Sequence, residues 1–395
     1  MFLDSLLARN PALIDAATDL HRRGAIPPDT YVMDLDAIEG NASLLAAEAE
    51  RLGLSLWFVV KQLGRNPELI RAIARHIPKY AAIDPPEART LHAAGAQAGN
   101  LGHLVQIPRR ALPEMLAWRP ETVTVYDLAN ARAVSDAALG LGLVQDILVR
   151  LEGAPGTVYP GQEGGVPLAG METFAAAVER LPGVRIAGVT AFPCVLCDPR
   201  TGLPAPTANF ELALAARRVL AARGHEDLKL SAPSATSMAT LPLLAELGAT
   251  HGEPGHSLTG TTPLHARDLS QPETPAYVYV TEVAHTLADG RPAVFGGGFY
   301  ARSHPTSALL PRTGMRLPVQ EAPPENIDYY RLLDAPGSGA DLDGTGADLK
   351  VGDTALLAFR TQIFVTRSTV AVVAGLSTGT PRLIGLYDAQ GKALS

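Results

Sequence analysis

Lys61 directly follows the apolar run Leu56-Trp57-Phe58-Val59-Val60. A lysine that ends a buried strand is costly unless its charge is paired or its amine is used. Burial that lowers its pKa makes it a nucleophile able to form a Schiff base with a carbonyl. Read alone, the residue also admits a plainer role, a lysine that simply leaves the mouth of a strand bundle. Two later segments are rich in hydroxyls and glycine, Ser231-Ala232-Pro233-Ser234-Ala235-Thr236-Ser237 and Gly255-His256-Ser257-Leu258-Thr259-Gly260-Thr261-Thr262. A phosphate needs backbone N–H donors, hydroxyls and often one positive charge; plain turns use the same residues. A third segment, Phe295-Gly296-Gly297-Gly298-Phe299-Tyr300-Ala301-Arg302-Ser303-His304, sets Tyr300 behind three glycines, which let a backbone approach a crowded site. Tyr300, and as second choice His304, can carry a proton to or from a substrate, and Arg302 and His304 bear on the tyrosine's pKa. A glycine bulge beside a core tyrosine is the structural alternative.

The elements that must position these residues follow a pattern. Leu6, Leu7, Leu13, Ile14 and Leu20 recur at helical spacing, so residues 1–27 are expected to form a helical segment that ends at Pro27-Pro28. Short apolar runs then alternate with amphipathic stretches: Tyr31–Met33, Leu56–Val60, Tyr80–Ile83, His103–Ile107, Val123–Tyr126, Ile147–Leu151, Val184–Val189 and a weak run at Lys229–Ser231. Helices are expected at 37–52 and 207–223. Eight strands separated by helices predict an α/β fold, a parallel (β/α)8 barrel over 28–272. No Gly-x-Gly-x-x-Gly turn follows the first run, which disfavours a doubly wound sheet. Beyond about residue 270, β-branched residues, Pro and Gly rise. Tyr277–Val280, Ala293–Phe295, Ile363–Thr366, Val370–Val373 and Leu383–Tyr387 read as strands, so 273–395 is expected to be a mostly β C-terminal domain with a Gly/Asp-rich loop at 337–348.

Composition narrows the function. The formal net charge is −7 with no basic stripe, which argues against nucleic acid. No apolar run is long enough to span a bilayer. Asp4 sits where a secretion signal would carry bases, so a cytoplasmic protein is expected. The two cysteines, Cys194 and Cys197, have the spacing of half a zinc site or a redox pair; with no second pair, two reduced thiols are expected and no metal.

Tyr31-Val32-Met33-Asp34-Leu35-Asp36-Ala37-Ile38-Glu39-Gly40-Asn41 resembles the opening strand and helix of alanine racemases, and Lys61 falls where that family carries its pyridoxal phosphate (PLP) lysine. The barrel followed by a β domain is similar too. Lys61-Gln62-Leu63-Gly64-Arg65-Asn66-Pro67 and Gly296-Gly297-Gly298-Phe299-Tyr300 resemble the YhfX-like racemase group within that superfamily. The resemblance implies that Lys61 holds PLP, that Arg65 stands where alanine racemases have a phosphate-binding tyrosine, and that Ser234, Thr236, Ser237, Gly255, Ser257, Thr259 and Gly260 lie along the phosphate segments. It implies a small-molecule amino-acid substrate and a homodimer with a shared active site, in which Tyr300 is the second base.

The departures from the family matter as much. Glu253-Pro254-Gly255 replaces Arg-Pro-Gly, so a carboxylate would face the pyridine nitrogen and favour its protonated form. Phe192 stands where a ring-stacking histidine is usual; it stacks but donates no proton. Tyr159-Pro160-Gly161-Gln162-Glu163-Gly164-Gly165 lacks the arginine of the family's Gly-Met-Gly-Arg loop, which disfavours alanine as substrate. The leading expectation is therefore a PLP-dependent amino-acid racemase. Decarboxylases and D-amino-acid lyases of the same fold remain alternatives; the metal-assisted lyases carry a His-x-Cys or His-x-Asp pair that is not found after residue 275. A non-catalytic PLP-binding protein would resemble the barrel alone. A metal hydrolase built on His251, His256 and His265 fits no common ligand spacing.

Overall fold

The computed structural model describes residues 1–198, 200–300, 303–323, 325–334 and 349–394. Arg302 and the loop expected at 337–348 lie outside the described residues. The chain forms two compact units, one of Ala42–Val60 and Ile73–Ser257, the other of Met1–Asn41, Lys61–Ala72 and Leu258–Ser395. The first strand, β1 (Thr30–Asp34), belongs to the second of these.

The first unit is a (β/α)8 barrel. Its strands are β2 (Ser55–Leu56), β3 (Lys79–Ala81), β4 (Gln97–Leu101), β5 (Thr122–Val125), β6 (Gln145–Arg150) and β7 (Val184–Thr190), then, after the hairpin β8 (Val195–Cys197) and β9 (Pro204–Pro206), β10 (Lys229–Ser231) and β11 (His251–Gly252). They pair in parallel in the order β2-β11-β10-β7-β6-β5-β4-β3, and a parallel bridge between Phe58 and Tyr80 joins the two ends. Phe58 N–H donates to the Lys79 carbonyl at 3.0 Å, and Ala81 N–H to the Phe58 carbonyl at 3.0 Å. Trp57, Val59, Ala81 and Leu148 form a buried cluster. The Trp57 indole fills the space a side chain at Gly99 would need, which is why β4 carries a glycine there. Three of the helices between the strands start on side-chain caps: Asp84 accepts from Glu87 N–H, Asp127 from Asn130 N–H and Thr207 from Asn209 N–H.

The N-terminal end of the barrel is closed by charge. Glu121 accepts from Lys79 Nζ at 2.9 Å and Trp57 Nε1 at 3.1 Å, with His251 at 3.4 Å and Lys229 at 3.7 Å. Burial alone would raise its pKa; His251, Lys79 and Trp57 overcome that and hold the carboxyl well below its usual range.

The second unit is built on a nine-stranded sheet. β12 (Tyr277–Thr286), β13 (Pro292–Phe295), β14 (Ser307–Leu310), β15 (Met315–Pro318), β16 (Tyr330–Leu332), β17 (Thr354–Leu357), β18 (Thr369–Ala374) and β19 (Arg382–Tyr387) join β1 in the order β15-β14-β17-β12-β1-β18-β19, with β13 on β12 and β16 on β13. The period-two rule assigns its faces. Val32, Val278 and Val280 pack under the helices Phe2–Arg9 and Pro11–Arg22, against Leu3, Leu6, Leu13, Ile14 and Leu20. The alternating Tyr31, Tyr277 and Tyr279 meet Phe299 and Phe359 in an aromatic core.

Three expected strands are corrected. Tyr31–Met33 is no barrel strand: β1 runs antiparallel to β12 and parallel to β18. A strand buried on both faces has the same sequence texture in either sheet. The eighth barrel strand is β11 instead. His103–Ile107 is a turn region, and the strand before it is β4, which Gly102 ends with φ +82. Ile363–Thr366 contains a 3-10 turn at Ile363–Val365.

Glu121→Gln is expected to lower the unfolding free energy by about 2 kcal/mol at neutral pH. A carboxyl whose folded pKa is depressed stabilises the fold above its unfolded pKa, and that contribution fades as the pH falls. Urea unfolding at several pH values should therefore show the difference between the two proteins shrinking in acid.

Candidate active site

In a parallel barrel the C-terminal ends of the strands carry the chemistry. In the barrel unit Arg150, Phe192, Ser234, Thr236, Ser237, Glu253, Gly255 and Ser257 all lie at or just past such ends. Glu253 follows β11 and is half-buried; its Oε1 accepts from Ser231 Oγ at 3.1 Å, and its N–H donates to Thr236 Oγ1 at 2.9 Å. Gly252 leaves little room beside it, since a Cβ would lie 2.9 Å from Thr236 Cγ2. Ser231, Thr236 and Glu253 are thus tied into one group.

The turn after β10 is strained. Ser234 has φ +96 and Ala235 φ +52, conformations costly for residues with a side chain. Hydrogen bonds hold it: Ser234 Oγ accepts from Cys194 N–H at 3.0 Å and Val195 N–H at 3.1 Å and donates to the Val195 carbonyl at 2.8 Å. Thr240 Oγ1 donates to the Ala235 carbonyl at 2.7 Å and accepts from Ser237 N–H at 2.8 Å. The Ser234 hydroxyl is therefore spent on the turn itself. Ser257 differs. It is fully buried in the 3-10 turn His256–Thr259, and its Oγ has no hydrogen-bond partner. A buried orphan hydroxyl two residues past Gly255 fits an anionic acceptor such as a phosphate oxygen.

Phe192 is half-buried, edge-on to His103 with centroids 5.8 Å apart and 5.9 Å from Tyr159. Cys194 and Cys197 form no disulfide; burial pushes Cys194 up to about 12, so it stays protonated at neutral pH.

Arg150 was not among the expected site residues. It is 1 % exposed and ends β6. Its Nη1 donates to the His103 carbonyl at 3.0 Å, Nη2 to the Gln162 carbonyl at 2.7 Å and Nε to the Gly164 carbonyl at 3.3 Å, with the guanidinium 4.9 Å over the Tyr126 ring. Burial lowers its pKa, and Tyr126, Cys194 and Glu253 oppose that shift. One charged residue in the apolar run Ile147–Leu151 was the signal that could have marked it. Its fork ties down the loop that holds Gln162 and Gly164.

The second unit holds Lys61, Arg65, Thr259, Gly260, Tyr300 and His304. Lys61 opens a 3-10 turn, Lys61–Leu63, immediately after Val60. Gly64 and Arg65 both have positive φ, +68 and +52, and a Cβ at Gly64 would press on Val370 and Ile363. Asn66 Oδ1 then caps the helix Pro67–Ala74, accepting from Glu68 N–H at 2.9 Å. Arg65 is no exposed helix-start arginine: it is 4 % exposed, its Nη1 donates to Gln390 Oε1 at 2.5 Å, and it lies 5.1 Å over the Phe364 ring. Gly260, at φ +60, packs against Thr274 and Pro275 with no room for a side chain, and Thr259 Oγ1 is 2.7 Å from Thr261 Oγ1. Tyr300 and His304 line one cavity of about 320 Å³, together with Thr306, Gln320, Asp328 and Arg331. Of the three histidines weighed for a metal, His251 lies against the Trp57 ring and His265 faces Glu273 at 3.2 Å.

A family model described as alanine racemase, N-terminal domain, matches residues 33–263, and one described as YhfX-like, C-terminal domain, matches residues 278–383. The chain belongs to the YhfX-like branch of the alanine-racemase family. It is 39% identical over 398 residues to the uncharacterized protein YhfX of Escherichia coli (strain K12), covering 100% of both chains. Among solved structures, this YhfX-like chain resembles D-threonine aldolase from Filomicrobium marinum with a TM-score of 0.68 at 18% identity, over 92% of this chain and 95% of that one. It resembles D-threo-3-hydroxyaspartate dehydratase from Delftia sp. HT23 with a TM-score of 0.63 at 17% identity, over 91% and 97%. It resembles alanine racemase from Clostridium difficile 630 with a TM-score of 0.62 at 14% identity, over 92% and 99%. The YhfX-like fold is thus the alanine-racemase fold, shared by a racemase, a dehydratase and an aldolase. Among the described residues, no helix is long and apolar enough to cross a membrane.

Arg150→Met removes three N–H donors at once. It is expected to cost about 2–3 kcal/mol of stability in a urea melt and to speed protease cleavage within residues 152–166.

Proposed function

We propose that this chain is a pyridoxal-phosphate-dependent racemase acting on an amino acid other than alanine. The carrying observation is Lys61, the first residue past the buried Leu56–Val60 run in a chain of this family. When bound, pyridoxal phosphate supplies an electron sink for negative charge at the substrate's α-carbon. The amine of Lys61 would hold the cofactor covalently and would carry the α-proton on one face of the substrate. The hydroxyls of Ser257, Thr236 and Ser237, the backbone at Gly255 and the Thr259-Gly260 segment serve the phosphate, with Arg65 as its positive charge. Ser257 supports this through its unpartnered buried hydroxyl, and Arg65 through its burial and its bond to Gln390. Ser234 acts indirectly by fixing the turn. Phe192 would cover a ring face of the bound cofactor, and the carboxylate of Glu253, which accepts from Ser231 Oγ, would keep the pyridine nitrogen protonated.

Inverting the α-carbon needs a second proton carrier on the opposite face. Tyr300 is that group, with His304 as the alternative, both on the wall of one cavity. Arg150 reaches the carbonyls of Gln162 and Gly164, so the loop that would bind alanine's carboxylate is held by an arginine from below, which supports a different substrate. The expected protein is cytoplasmic and acts as a homodimer.

Borohydride reduction of the cofactor-loaded protein, followed by peptide mapping, should place the label on Lys61. Label on another lysine overturns the assignment. A panel of amino acids, scored for both α-proton exchange with deuterated solvent and inversion, tests the rest. Tyr300→Phe should keep the cofactor and exchange one antipode while losing inversion, and Glu253→Gln should slow exchange by about tenfold, equivalent to ~1.4 kcal/mol. A wild-type protein that exchanges but never inverts moves the reading to the decarboxylases and lyases.

A further inference from the structure

Tyr300 is held through the chain that precedes it, and that chain is clamped at one buried carboxylate. Asp29 stands just before β1, 6 % exposed, in the left-handed region at φ +60. Its Oδ1 accepts from Ser368 Oγ at 2.5 Å and from Tyr279 O–H at 3.0 Å. The three-glycine segment lies directly on this group. A Cβ at Gly297 would collide with Asp29 Oδ2 and Arg367 Nε, and one at Gly298 with the Tyr279 ring, Ser368 Oγ and Asp29 Oδ1. A Cβ at Gly296 would press on the backbone of Tyr329 and Tyr330. Tyr31 O–H donates to the Gly298 carbonyl, and Arg367 Nη2 donates to the carbonyls of Gly296 at 3.4 Å and Asp328 at 2.8 Å. Phe299 then drives its ring into the aromatic core, 5.0 Å from Tyr279 and 5.6 Å from Phe359, under the Arg331 guanidinium. The glycines thus serve a close approach to Asp29 and its partners.

We propose that Asp29 is the positioning residue for Tyr300, locking the Gly296–Gly298 segment so that the tyrosine is presented in one place, and releasing it when the carboxylate is ionised. The proposal rests on the reading of Tyr300 as the second proton carrier. Burial pushes the Asp29 carboxyl up to about 6, against its hydrogen bonds from Ser368 and Tyr279 and the charge of Arg367. The titratable and charged groups facing it are Tyr31 of β1, Tyr279 of β12, Asp328 before β16 and Arg367 before β18. The sign follows from linkage. A carboxyl whose pKa is higher in the closed arrangement than in water stabilises that arrangement when protonated. Ionisation opposes it, so the clamp is firmest in mild acid and loosens as the pH rises through about 6.

Amide hydrogen exchange on the full-length, cofactor-loaded protein reads the clamp without any substrate. After correction for intrinsic rates, protection in peptides spanning 296–300 should fall by roughly 10- to 100-fold between about pH 5 and pH 8. Asp29→Asn keeps an oxygen for both hydroxyls but does not titrate, and should hold the low-pH protection throughout. Ser368→Ala removes a bond that favours the ionised form and should move the wild-type midpoint upward. Flat wild-type protection, or a fall that survives in Asp29→Asn, overturns the clamp. The link to Tyr300 is read as the ratio of inversion to α-proton exchange for an amino acid that the panel shows to be inverted. That ratio should drop above about pH 6 in the wild type and stay constant in Asp29→Asn, with KM changed less than twofold. A pH-dependent clamp with an unchanged ratio removes Asp29 from the reaction, whereas wild-type inversion in Tyr300→Phe removes the tyrosine and leaves the exchange data to judge the clamp.

Discussion

Strand β1 is hydrogen-bonded on both sides, to β12 along Thr30–Met33 and to β18 along Thr30–Asp34. Much of the second unit depends on that double pairing. Tyr31 enters the aromatic core from β1, Val32 enters the opposite core under the N-terminal helices, and Asp29 meets Ser368 and Tyr279 because its neighbours Thr30 and Tyr31 are in register with β18 and β12. Asp34 closes the strand: its N–H donates to the Ala276 carbonyl at 2.8 Å, and its carboxylate accepts from Asn10 Nδ2 at 2.8 Å and Ala37 N–H at 3.1 Å. One five-residue strand therefore fixes two cores and the start of the next helix.

The barrel solves a different problem. Its strands are short, and its N-terminal end gathers Lys79, Lys229 and His251 around Glu121. That charge knot sits at the end where conserved chemistry is not expected in such barrels, while the strained turn at Ser234-Ala235 sits at the other. The charge knot and the strained turn thus lie at opposite ends of the strand axis. The same division explains the opposite characters of the two charged strand-end residues: Glu121 is surrounded by cations, whereas Arg150 is satisfied by carbonyls and a ring face.

The barrel and the β domain could be read from the chain because alternation of apolar runs with amphipathic helices is a local signal, as in Val184–Val189 and the helix Ala208–Ala222. What failed was non-local. Nothing in Tyr31-Val32-Met33 says that its partners lie beyond residue 270, and a two-sided buried strand looks alike in either sheet. β4 escaped because Gln97-Ala98-Gly99-Asn100 has almost no β-forming side chains; Trp57, from another strand, fills the space beside it. Of the proposed site, Lys61 announced itself as a charge at a strand end, and Glu253 as the replacement of the arginine in the family's Arg-Pro-Gly. Arg150 did so too, inside an apolar run, and was passed over. Asp29 carries no local mark at all, since its partners come from β12, from the segment before β18 and from the glycines after β13.

The central place of β1 also bears on how the protein is made. A ribosome delivers Thr30–Asp34 before any residue of the barrel, but β12 and β18 emerge only after the barrel is complete. During that interval, on the order of tens of seconds at ordinary rates of synthesis, an apolar strand waits with both hydrogen-bonding edges open. Such edges recruit other strands. The nascent chain should therefore be a client for chaperones that shield extended segments, and a truncated product ending inside the barrel should aggregate through its first strand rather than accumulate as a soluble fragment.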